Sequence, residues 1–197
     1  GSVEMSDASG AVKTPTTSAI TTVGTDSIPQ PTYTFNKDPN RSAVWTNQSL
    51  ASDGSISTGA YIEEIVAYQT EVSIEASFGT AINVSSVGSV GFMSYISPSY
   101  SSITTEIIIN GISVFDGNYT AFLAAGGRIN STNLPAYAHF MEIDTILSNN
   151  SITSISTFKY IVSGNENTNG DAGYFGGIFV RPDSLVDDNS LDGWYLT

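Results

Sequence analysis

The chain is a series of short stretches in which apolar and polar residues alternate, separated by Gly, Asn, Asp and Pro. Alternation with period two marks strands with one face buried. It is clearest late in the segment Gly59 to Ala76, where Val72, Ile74 and Ala76 alternate with Glu71, Ser73 and Glu75. That spacing sends the apolar set inward and the carboxylates outward. Ile82 to Val90 continues with a softer alternation. Thr104 to Ile109 and Ile112 to Phe115 flank Asn110-Gly111. Asn-Gly between two β-forming runs predicts a type I′ hairpin, because both central residues need positive φ. Asp116-Gly117 and Gly126-Gly127 mark turns on either side of Tyr119 to Ala124. Ala136 to Leu147 fits either a short helix or another strand. Ile152 to Val162 reads as a strand with Phe158, Tyr160 and Val162 on one face, and Tyr174 to Val180 as an apolar strand ended by Arg181-Pro182.

Turns at this spacing predict an all-β fold, an antiparallel β-sandwich or jelly roll. Residues 1–32 read differently. They are rich in Ser and Thr, contain Pro15, Pro29 and Pro31, and show no sustained apolar period. Such a segment cannot offset its ordering entropy by burial, so 1–32 is expected to be an extended linker or hinge and 33–197 the sandwich domain. Gly1-Ser2 reads as a cloning remnant and Val3-Glu4-Met5 as the end of a strand from a preceding domain.

The 197 residues suffice for one core without covalent staples. There is no cysteine, which excludes disulfides, thiolate nucleophiles and cysteine-ligated metal centres. The formal charge of -13 disfavours nucleic acid and anionic membrane as partners. No apolar run reaches the roughly 18–20 residues of a membrane helix.

Candidate chemistry is sparse. His139 is the single histidine; with Asp144 nearby it has two parts of a nucleophilic triad, but no Gly-x-Ser-x-Gly elbow accompanies it. Glu63, Glu64, Glu71, Glu75 and Glu106 fall on expected strands, where a pair across a cleft could hydrolyse a glycoside and solvated faces are the plainer account. Asn165, Asn167, Asn169 and Asp171 present oxygen ligands at alternate positions ahead of the strand, as calcium loops do. The ligands are mostly neutral amides and the twelfth position is Gly176, so a polar hairpin loop or weakly bound calcium is expected. Tyr95, Tyr100, Tyr119, Tyr137 and Tyr174 lie near expected turns and are the candidate ligand-binding aromatics. Asn-x-Ser/Thr acceptors occur at Asn40, Asn47, Asn83, Asn118, Asn130 and Asn149.

In layout the chain resembles the protruding domain of a tombusvirus-like capsid protein from small icosahedral RNA viruses. The resemblance rests on a strand-like Val3-Glu4-Met5-Ser6-Asp7, a hinge through Lys13-Thr14-Pro15, and a cysteine-free, Ser/Thr/Gly-rich β-domain running to the end. It implies a non-catalytic domain on the virion surface that pairs as a homodimer and meets a host or vector receptor or glycan. No functional residue carries over. A phage fibre or decoration domain, a secreted carbohydrate-binding module and a β-sandwich glycosidase are the alternatives.

Overall fold

A computed structural model describes residues 5–6, 12–13, 31–36, 45–52, 58–62, 70–87, 89–94, 104–130, 139–164, 173–181 and 195–196. Strands make up 64% of what is described, in two antiparallel sheets, and the fold is an all-β sandwich. The first sheet has the order β3 (Pro31–Asn36), β6 (Thr70–Asn83), β12 (Ser154–Gly164), β8 (Thr104–Ile109) and β9 (Ile112–Gly117). The second runs β10 (Arg128–Asn130), β11 (His139–Glu142), β7 (Ser89–Ser94), β13 (Gly173–Arg181), β5 (Ala60–Ile62) and β4 (Trp45–Thr46). A terminal strand β14 (Tyr195–Leu196) also pairs with β13. Close to the N-terminus, β1 (Met5–Ser6) pairs with β2 (Val12–Lys13), so Met5 has a strand partner within its own chain, opposite Lys13.

The predicted faces hold. Val72, Ile74 and Ala76 of β6 are buried, and Phe158, Tyr160 and Val162 of β12 lie beside them. From the second sheet Phe92 and Phe175 enter the same core. Phe92 packs 5.1 Å from Phe158 and 5.3 Å from Tyr160, and Phe175 lies 6.1 Å from Tyr160, measured between ring centres. Tilted and edge-on contacts of this kind add to the plain burial of aromatic area. Asn110 at φ 52° and Gly111 at φ 79° make the predicted hairpin turn.

The unsettled segments resolve into mixed elements. Ala136 to Leu147 contains both candidates: β11, then α3 (Asp144–Asn149). Within Ile82 to Val90 the alternation is interrupted by α1 (Val84–Val87), where Asn83 Oδ1 accepts from the Ser85 N–H at 3.1 Å. Tyr119–Ala124 forms α2, started by Asn118, whose Oδ1 accepts from the Ala121 N–H at 3.1 Å. Capping of the free N–H groups of a first helical turn is the usual work of Asn before a helix.

The two ends of the sandwich are built differently. At one end described strands are joined through α1, the Asn110-Gly111 turn and α3, and the segment 182–194 joins Arg181 of β13 to Tyr195 of β14. At the other end lie Asn36, Trp45, Ile62, Thr70, Ser94, Thr104, Asn130, His139, Gly164 and Gly173, as the strand registers require. Each of the segments 37–44, 63–69, 95–103, 131–138 and 165–172 joins two of these strand ends.

Candidate functional site

The end that receives those strand termini is the candidate site, and its described floor is a set of buried hydroxyls. Tyr160 Oη lies 3.4 Å from Thr105 Oγ1, and Ser94 also hydrogen bonds to the phenol. The Ser94 hydroxyl donates to the Tyr174 carbonyl at 2.8 Å. The group spans both sheets, because Ser94 ends β7 while Thr105 and Tyr160 lie on β8 and β12. Burial pushes the Tyr160 phenol up to about 12, against the opposing effect of the Ser94 and Thr105 hydrogen bonds. These hydroxyls are therefore neutral partners in a dry interior at neutral pH, where a satisfied network fixes one arrangement of the sheets.

A second tie crosses the sandwich beside it. The bulge between Phe175 and Ile178 includes Gly177 at φ 105°, a conformation for which glycine is suited. The Ile178 N–H then donates 3.1 Å to Tyr33 Oη from the opposite sheet. Burial raises the Tyr33 phenol above the ordinary tyrosine range, against the opposing effect of the hydrogen bond from the Ile178 backbone. Nearby, Trp45 is buried with its ring 5.8 Å from Phe35, and its indole N–H has no acceptor among the described residues.

Of the candidate aromatics, two are described. Tyr174 is 3% exposed in β13. Tyr119 is half-buried at the start of α2 and packs against the core beyond Gly117, which pairs with Thr105. They stand on different elements, Tyr119 beyond the β9 edge and Tyr174 within the other sheet, and do not make one shared aromatic platform. Tyr95, Tyr100 and Tyr137 lie outside the described residues, as do the candidate calcium ligands Asn165, Asn167, Asn169 and Asp171. No group of three or more His, Cys, Asp or Glu side chains positioned for a metal occurs among the described residues.

The carboxylates and histidine fall as follows. Glu75 and Glu106 both point away from the core on the outer face of the first sheet, separated by β12 with Lys159 and Ile161 between them. Glu75 pairs with Lys159 and Glu106 with Ile161, so two strand spacings and a two-residue offset put their backbones about 12 Å apart. Glu63 and Glu64 lie outside the described residues. His139 pairs with Ser94 at the start of β11, and Asp144 Oδ1 accepts from the Val90 N–H at 2.7 Å, tying α3 to β7. Asp144 thus has a structural partner that no local sequence pattern signals. The same is true of Glu142, 4% exposed and 3.6 Å from Arg128 across the β10–β11 pair.

Among the described residues, no helix is long and apolar enough to cross a membrane. No protein-family model matches the chain, and no curated protein matches it.

Proposed function

We propose that this chain is a non-catalytic attachment domain, displayed as a self-associating projection on a virion surface. The observation that supports it most is the division of labour between the two ends of the sandwich. One end is stitched by the Asn110-Gly111 turn and by α1 and α3, and 182–194 joins β13 to β14 there. At the other, the strand ends receive the segments that carry Tyr95, Tyr100, Tyr137 and the polar run Asn165 to Asp171. A rigid sandwich that presents connections from one end is a common way to carry a recognition surface. The acidic balance suits a protein or glycan partner better than nucleic acid. The resemblance to capsid protruding domains supplies the setting, and pairing through a two-fold interface is the arrangement it implies.

Sedimentation equilibrium over a wide concentration range tests this reading. A reversible or tight dimer is expected. A trimer would favour a fibre-like shaft protein instead. A strict monomer at every concentration would overturn the projection reading, and binding on a glycan array would then point to a carbohydrate-binding module.

A further inference from the structure

We propose that Asn110-Gly111 is a deamidation site guarded by the fold, and that its conversion records detachment of the β8–β9 hairpin tip from β12. Asn-Gly is chemically prone to this reaction because glycine has no side chain to hinder its own nitrogen. The Gly111 nitrogen attacks Asn110 Cγ and a C–N bond forms. The Cγ–Nδ2 bond breaks, and Nδ2 leaves as ammonia with the Gly111 amide proton. Water then opens the succinimide to aspartate or isoaspartate.

In the folded domain the Asn110 amide is held on both of its polar atoms. Nδ2 donates to the Ser154 carbonyl at 2.8 Å. Oδ1 accepts from the Ser156 N–H and hydroxyl, both at 2.8 Å, and from the Thr157 N–H at 3.1 Å. The Asn110 N–H itself donates to the Thr157 carbonyl at 3.0 Å. These partners sit at the irregularity in β12 between Ile155 and Thr157, where the ladder to β6 shifts register. Asn110 therefore supplies the acceptor for the N–H groups of Ser156 and Thr157. Swinging Cγ toward the Gly111 nitrogen breaks these contacts together, so reaction requires local opening of the tip. Closure is then impaired. Aspartate lacks the N–H that faces the Ser154 carbonyl, and isoaspartate lengthens the main chain inside a two-residue turn.

Peptide mapping by mass spectrometry tests the proposal, following Asn110 conversion in the intact protein and in urea at the same pH and temperature. The native rate is expected to be at least about tenfold slower, equivalent to an opening cost of about 1.4 kcal/mol. Ser156→Ala, at an exposed position, removes one donor to Oδ1 and is expected to speed native conversion while leaving the rate in urea unchanged. Equal rates in native and unfolded protein would overturn the guarding. A native rate unaltered by Ser156→Ala would overturn the assignment of the clip.

Discussion

The end of the sandwich stitched by α1, the Asn110-Gly111 turn and α3, here the closed end, and the end that receives five connections between strands solve the same problem with different chemistry. Both must hold two sheets in register where strands stop. At the closed end the ties are local side-chain-to-backbone bonds: Asn110 to the β12 irregularity, Asn83 to α1, and Asp144 to Val90. Opposite it, the tie is a buried tyrosine hydroxyl that crosses between sheets, Tyr160 to Thr105 and Ser94, and midway along the sandwich Tyr33 makes a second crossing to Ile178. The end that receives the five connections is thus held from inside, by groups that those connections need not supply, while the other is stitched by side chains at its own turns and helices.

The core common to both ends sets the largest expected effect. Phe92 is fully buried between Phe158, Tyr160 and Phe175. Phe92→Ala should cost about 3–5 kcal/mol, read as a lowered urea midpoint with both ends lost in one transition. Two separate transitions would instead make each end its own folding unit.

At the closed end, Asn110→Ala should cost about 2–3 kcal/mol. The left-handed backbone at φ 52° accounts for about 1–2 of this, and the lost amide bonds for the remainder. Asn110→Gly should recover most of the backbone share and leave the bonding share, so thermal unfolding of the two variants separates the two causes.

Across the sandwich, Tyr33→Phe should cost about 1–2 kcal/mol, because the part-buried hydrogen bond from the Ile178 N–H is lost. The tyrosines also predict a pH dependence. The Tyr160 value is pushed up to about 12 from the ordinary 10.0, and Tyr33 is raised as well. The folded state thus favours the protonated phenols. Their contribution is fully present below about pH 10 and is lost as pH rises from there through the folded values. Chemical denaturation between pH 8 and 12 should show stability falling above about pH 10, with a shallower fall in Tyr33→Phe.

Much of the strand pattern was legible in the sequence because burial of one sheet face writes itself as alternation. Val72, Ile74 and Ala76 and the Asn110-Gly111 turn are direct examples. The small helices were less legible. In a chain so rich in Asn, Ser and Thr, Asn118 reads as a glycosylation acceptor as readily as a helix cap, and α2 is only six residues long. The inter-sheet ties were not legible at all. Tyr33 and Ile178 are 145 positions apart, and Thr105 and Tyr160 are 55 apart. No local pattern encodes which hydroxyl meets which backbone group.

The smallest effect is expected at the polar run before β13, and it sharpens what that end is for. A calcium loop of the spacing begun at Asn165 would place its last ligand at Gly176. Gly176 instead belongs to β13, where an added Cβ would come within 2.9 Å of both Met93 Cβ and the Thr58 carbonyl. A carboxylate there would be forced into the sheet, so a seven-oxygen cage of the usual frame has nowhere to close. Asp171→Ala should therefore change stability by no more than about 0.5 kcal/mol. Millimolar calcium should leave the melting temperature of both proteins unmoved. A calcium-dependent rise that disappears in Asp171→Ala would instead make the run an ion site, because a ligand bound to the folded state alone must raise its stability. That end of the sandwich would then depend on an ion as well as on the buried Tyr160 hydroxyl.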